Sequence, residues 1–354
     1  MMGTQSDYSE LAWFEKGFPP PVLTRVVQLQ LGPTRRVAIV EEPDLLMLAE
    51  SSSVYQLAEV ALRERVPLAD VFARLAKAER IDYDEVYAGR SEWRLMVPID
   101  HPAGPARCLV SGTGLTHLGS AESRDAMHGK TDAELTDSMR MFKSGVEEGR
   151  PAPGAIGTPP EWFYKGSGDV LQAHLDPLVV PPYALDGGEE AEIAGVYVID
   201  ASGHPRRIGM ATGNEFSDHK FERINYLNLA GSKLRACSLG PELVIDPDFQ
   251  NVRGCVAVER SGSVLWSREI ATGVDEMCHS LANIEHHHFK FDAHRRPGDL
   301  HVHFFGAPSL SFADGVQIGD GDVMAIQFNG FGRALRNPLR LANPKTTPVM
   351  VQPL

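Results

Sequence analysis

Cysteine is scarce in this sequence and long apolar runs are missing, and each shortage removes a class of protein. Four cysteines are present, Cys108, Cys237, Cys255 and Cys278, and no two of them form a C-x-x-C pair. Neither a disulfide framework nor a zinc ribbon is expected, and a reducing compartment is. No apolar run approaches the ~18 residues that cross a bilayer. The opening MMGTQSDYSELAWFEKG carries acids where a secretory leader has its apolar core. Basic charge is short as well: 34 Lys and Arg against 47 Asp and Glu give a net charge of −13. That argues against nucleic acid or an anionic membrane as partner. A cytoplasmic protein that engages neither is the expectation. The glycines of Gly112-Thr113-Gly114-Leu115-Thr116-His117 have the wrong spacing for a dinucleotide loop. His279 and Ser280 lack the G-x-S-x-G elbow of a serine hydrolase.

What is there reads as an ordinary globular chain, 43% hydrophobic and 23% charged. Residues 26–31 and 36–40 predict strands around the turn Gly32-Pro33-Thr34. Residues 53–65 and 68–78 carry apolar positions at helical spacing, and 93–99 predict a strand. A linker, His101-Pro102-Ala103-Gly104-Pro105, then divides a small N-terminal α/β domain, 1–103, from a β-rich domain, 104–354. The class is α+β. Thr131 and Glu134 can form a capping box for a helix over 132–148, lying on the second domain as a lid.

The stretch 190–222 organises the chain. Glu190 and Glu192 precede a β-branched run, so alternation puts both carboxylates on one strand face. A second strand-like run, 207–212, delivers Glu215 from the turn Gly213-Asn214. Three carboxylates on neighbouring strands can share one hard divalent cation, which takes oxygen ligands. Spacing alone leaves a solvated strand edge as the alternative.

Further segments fall into an order. GTGLTHLGSAE opens it, followed by Phe163-Tyr164-Lys165, Glu190-Ala191-Glu192, Gly213-Asn214-Glu215-Phe216-Ser217, and Lys233 with Leu239-Gly240-Pro241. Two turns, Arg296-Pro297-Gly298-Asp299 and Gly319-Asp320-Gly321-Asp322, close it, with Gly330-Phe331-Gly332 and Leu335-Arg336-Asn337-Pro338 beyond. This order, over roughly residues 106–340, resembles the fumarylacetoacetate hydrolase superfamily. The resemblance implies a mixed β-sandwich roll in which Glu190, Glu192 and Glu215 bind Mg²⁺ or Mn²⁺, and the ion grips a 2-oxo acid. It implies that Lys165 and Lys233 hold the substrate, that Glu122 transfers protons with His117 nearby, and that the enzyme is a homodimer. Arg124, Ser217 and Arg235 are candidate substrate contacts.

Two departures bear on the reaction. Glu215 stands where the superfamily usually has Asp, and Ser120 stands about where its hydrolases have the histidine of an H-x-x-E pair. The second weakens water activation and favours proton transfer. The wording SGTGLTHLGSAESRDAMH is similar to the branch for sugar-acid catabolism. The expected activity is dehydration of a 2-keto-3-deoxy pentonate such as the arabinonate. The alternative is C–C hydrolysis of an acylpyruvate or 2,4-diketo acid, and a sugar-acid binder without turnover is a third reading. The histidines 286–288, 294, 301 and 303 lack a carboxylate at ligand spacing. They predict a polar surface or subunit contact rather than a second metal site.

Overall fold

A computed structural model describes residues 23–49, 51–119, 121–122, 136–343 and 347–354. The chain begins with a meander: β1 (Arg25–Leu31), β2 (Thr34–Glu41) and β3 (Asp44–Leu48). Helices α1 (Val54–Glu64) and α2 (Leu68–Leu75) follow, with Ser53 capping α1 through its hydroxyl. The helix expected over 68–78 ends three residues early. Ala76–Asp82 is instead strand β4, paired with β3 at the sheet edge. Its Lys77, Glu79 and Arg80 suit a helix by propensity, but pairing overrides propensity, and charge protects an exposed edge. A short helix α3 (Tyr83–Tyr87) follows, and of the strand expected over 93–99 only β5 (Arg94–Leu95) pairs.

Beyond the linker come β6 (Cys108–Gly114), helix α4 (Asp137–Glu148), β7 (Glu161–Ser167), β8 (Leu171–Gln172) and β9 (Leu178–Val180). Thr136 caps α4, so the described helix starts later than expected, and the Thr131 capping box lies outside the described residues. The long hairpin β10 (Ala191–Ile199) and β11 (Pro205–Asn214) follows, then α5 (His219–Ile224) and α6 (Leu229–Lys233). The remaining elements are β12 (Cys237–Leu239), β13 (Leu243–Val244), β14 (Val252–Arg260), β15 (Ser263–Thr272), α7 (Leu281–Phe289), β16 (Leu300–Phe304), β17 (Val323–Phe328) and β18 (Leu335–Leu341). The two late glycine-rich turns lead into β16 and β17 as their sequences predict.

Among the described residues thirteen strands form one mixed sheet with the main order β4-β3-β2-β1-β13-β11-β10-β16-β6-β7, and five form a second, β15-β14-β17-β18-β9. The N-terminal meander therefore continues the same sheet, through β1 against β13. Strand β10 is buried along all nine residues because both its faces are covered. Ala194, Val196 and Val198 pack with Val54, Leu57, Val71 and Phe72 of α1 and α2. Ile193, Tyr197 and Ile199 pack with α7 and the second sheet through Ile284, Phe289, Ile326 and Phe328.

Most of the histidines do not form a polar surface; of the six, His286 is exposed and His294 half-buried. His287, His288, His301 and His303 are buried. Trp162 Nε1 donates to His288 Nδ1 at 3.2 Å, and His288 Nε2 lies 3.0 Å from His301 Nδ1. Indole N–H is only a donor, so His288 is protonated on Nε2 and His301 accepts on Nδ1. His303 lies between the hydroxyls of Ser111 and Thr113, at 2.8 and 2.7 Å. The cluster ties α7 to β6, β7 and β16 on the sheet face opposite Phe304.

Candidate metal centre

The even-numbered row of β10 runs back from Val198 through Ala194 to Glu192 and on to Glu190, just before the strand. Opposite it, Glu192 pairs with Gly213 and Ala191 with Asn214. A Cβ on Gly213 would stand 2.4 Å from the Phe304 ring, so glycine is what lets the hairpin close over that ring. The turn after β11 is held by Asn214, whose Oδ1 accepts from the amides of Glu190 and Phe216 at 3.1 and 3.2 Å. Phe216 is bent into the left-handed region, φ 46°, a conformation that costs a bulky residue about 1–3 kcal/mol and clusters at functional sites. The Glu215 amide donates to the Glu190 carbonyl at 3.0 Å. The result brings carboxylate oxygens of Glu190, Glu192 and Glu215 within 4.8 Å of one another, all three residues buried. A solvated strand edge is excluded.

Two lysines answer this charge. Lys233, at the end of α6, has its ammonium 2.6 Å from Glu190 Oε1 and 2.8 Å from Ser217 Oγ, and also donates to Glu215 Oε2. Lys165, in the middle of β7, lies 2.7 Å from Glu215 Oε1 and donates to the Phe216 carbonyl at 2.8 Å. Glu192 accepts from the Gly306 amide at 2.7 Å. Burial, then Glu215 and Glu190, push its carboxyl well above the usual carboxylate range. Burial also works to raise Glu190, but Lys233 and His219 reverse it and hold that carboxyl low. Glu215 is raised by burial first and by Glu190 second. At the 4.8 Å limit, two bare carboxylates repel by about 3.5 kcal/mol at an effective dielectric of ~20. Counted as ionised, three acids against two ammonium groups leave a formal charge of −1, and the crowding falls hardest on Glu192. An oxygen-seeking divalent cation suits that donor set.

Other expected residues stand elsewhere or have other partners. Ser217 donates to Glu215 Oε2 at 2.8 Å and so acts on the acid cluster itself. Arg235 is buried against Asp218 Oδ2, 3.2 Å, and the Asp186 carbonyl, 2.6 Å. His117 lies between the hydroxyls of Thr116 and Thr272, at 2.9 and 3.1 Å, and burial pushes its ring down to about 3. Glu122 is exposed at the edge of the described chain, and Arg124 lies outside the described residues.

Several neighbours of the acids were not singled out in the sequence. Glu161, Phe163 and Lys165 alternate onto one buried face of β7. On that face Lys165 reaches Glu215, and the Phe163 ring lies 4.8 Å from Lys233 Nζ. Glu161 is the next group along it. Tyr226 donates to Glu161 Oε1 at 3.0 Å, and a Cβ on Gly114 would fall 1.8 Å from Oε2. Two-residue spacing to Phe163 and Lys165 was the signal available for Glu161. His219 Nε2 lies 3.1 Å from Glu190 Oε1. Glu189, wholly buried, accepts from the amide and hydroxyl of Ser311, both at 2.7 Å.

No family model and no curated protein matches this chain. Solved structures do. A 2-keto-3-deoxy-D-arabinonate dehydratase in its apo form matches with a TM-score of 0.66 and 17% identity, over 90% of this chain and 99% of that one. The same enzyme complexed with magnesium and 2,5-dioxopentanoate matches with 0.65, 17% identity and the same coverage. A fumarylacetoacetate hydrolase from psychrophilic Exiguobacterium antarcticum matches with 0.56 and 16% identity, over 90% of this chain and all of that one. The chain shares its fold with these enzymes. A dehydratase, an isomerase from Mycobacterium marinum and a hydrolase all carry it. The fold alone therefore leaves the reaction to be argued from this chain's own side chains.

Proposed function

We propose that this protein is a divalent-cation-dependent dehydratase of a 2-keto-3-deoxy sugar acid, a pentonate such as 2-keto-3-deoxyarabinonate. The observation that carries the proposal is the buried triad Glu190, Glu192 and Glu215 with its two lysines. Its charge balance is telling. Three carboxylates and two ammonium groups leave −1, a divalent ion makes +1, and the monoanion of a 2-oxo acid makes the site neutral. Mg²⁺ or Mn²⁺ held by these acids would polarise the 2-oxo group and acidify the protons on C3.

The chain's own groups supply the rest. Glu161, buried on the same β7 face as Phe163 and Lys165, is our candidate for the proton-transferring carboxylate. Glu122 is the second acid–base candidate. Dehydration takes a proton from C3 and releases the C4 hydroxyl as water. Tautomerisation of the product then gives an oxo-aldehyde acid. The arrangement of His117 supports this over hydrolysis, because threonine hydroxyls engage both its nitrogens and burial pushes its ring down to about 3, too weakly basic to activate water well. The proposal includes a homodimer working in the cytoplasm. Among the described residues no helix is long and apolar enough to cross a membrane.

The test is a product assay with Mg²⁺ over 2-keto-3-deoxy pentonates, hexonates and acylpyruvates. Formation of an oxo-aldehyde acid from a pentonate is expected. Pyruvate or a hydroxy acid released from an acylpyruvate, with the pentonates untouched, would overturn the dehydratase in favour of a C–C hydrolase.

A further inference from the structure

We propose that His219 is a positioning residue for the metal centre, holding Glu190 in its ligating orientation without touching the ion or the substrate. The inference rests on the metal-dependent reading of the site. Its observations concern the ring itself. His219 is the first residue of α5 and is 1% exposed. Its Nε2 meets Glu190 Oε1 at 3.1 Å, and a carboxylate that accepts there fixes the proton on Nε2. Lys233 binds the same oxygen at 2.6 Å. Two donors on Oε1 leave Oε2 as the oxygen that Glu190 can offer to a cation.

The ring is held from both sides. Beneath it, a Cβ on Gly188 would stand 2.4 Å from Nδ1, so the ring rests directly on glycine backbone. Above it lies the Phe312 ring, with centroids 5.2 Å apart. Phe312 follows Ser311, which Glu189 fixes through two hydrogen bonds. Three consecutive positions thus act on one centre: Gly188 seats the imidazole, Glu189 anchors the turn that covers it, and Glu190 receives its hydrogen bond. His219 Nδ1 has no hydrogen-bond partner among the described residues. The ring's one directed polar contact is therefore with Glu190. Partners that orient a metal ligand typically matter 10–100-fold in metal affinity.

Calorimetric titration of the full chain with Mn²⁺ tests this. His219→Leu is expected to weaken Mn²⁺ binding by roughly 10–100-fold. His219→Gln, whose amide reaches toward the position of Nε2, is expected to restore most of the loss. Gly188→Ala tests the same claim with the histidine intact, because its methyl displaces the ring, and weaker Mn²⁺ binding is again expected. It also keeps the test open should His219→Leu fail to fold. Mn²⁺ affinity unchanged in folded His219→Leu, or in Gly188→Ala, would overturn the role of His219. A wild-type chain that binds no Mn²⁺ would instead sink the metal-dependent reading.

Discussion

Lys233 places its ammonium 2.6 Å from Glu190 Oε1 and bonds Glu215 as well, so one buried cation bridges two of the three clustered acids. Removing one member of a buried pair leaves an uncompensated charge and costs about 3–5 kcal/mol. Lys233→Met should lower stability by that order when chelator is present. Saturating Mg²⁺ should return much of it, since the ion replaces the missing positive charge. Urea unfolding with EDTA and with Mg²⁺ measures both. Equal losses in the two conditions would show that Lys233 and the cation site are uncoupled.

Glu192 behaves in the opposite way, because burial, Glu215 and Glu190 all disfavour its charged form. Glu192→Gln keeps an oxygen for the Gly306 amide, now 2.7 Å from Glu192 Oε2, and deletes the repulsion from Glu215 and Glu190. The metal-free variant is expected to be at least as stable as wild type, with Mn²⁺ affinity and turnover lost. Thermal unfolding in chelator and Mn²⁺ titration check the two halves separately. Full activity would remove Glu192 from the metal centre.

The triad was readable because two short-range rules converge on it. Alternation puts Glu190 and Glu192 in one row, and Gly213-Asn214 marks the turn that brings Glu215 back. The same local logic found β1, β2, α1 and the turns before β16 and β17. What was not readable depends on distant partners. Residues 76–82 look helical until β3 is there to pair with them. His288, His301 and His303 look like surface polarity until Trp162, Ser111 and Thr113 are folded against them. His219 and Glu189 carry no local signal, since their roles come from Glu190, Ser311 and Phe312.

Those buried histidines make a prediction about acid. Burial pushes the His303 ring down to about 3, with His301 and His294 adding to the effect. In the unfolded chain a histidine titrates near 6.5. Between these values the unfolded chain binds the extra proton, so the ring's contribution is complete above about pH 6.5 and is lost as pH falls toward 3. Each pH unit in that window removes up to about 1.4 kcal/mol. Buried carboxylates raised by burial, Glu189 and Glu242 among them, titrate with the opposite sign, so the wild-type curve alone does not isolate the ring. The difference between wild type and His303→Gln does. The gap in unfolding free energy should narrow as pH falls from about 7 to 5. A gap that holds constant or widens would show that His303 is not neutral in the fold.

Glu161 offers the sharpest separation of chemistry from metal binding. Its carboxylate shares a strand face with Lys165, which reaches Glu215, yet it is not one of the three clustered acids. A positioned acid or base contributes typically ~10²–10⁴-fold to rate. Glu161→Gln should therefore lower kcat by that order while Mn²⁺ affinity stays at the wild-type level. Tyr226→Phe deletes the hydrogen bond to Glu161 Oε1 and should produce a smaller loss with a shifted pH–rate profile. Gly114→Ala adds a methyl where Glu161 Oε2 now lies, 1.8 Å away, and should lower kcat by pushing the carboxylate aside. If Glu161→Gln turns over normally, proton transfer belongs to another group, and Glu122 is the next residue to replace.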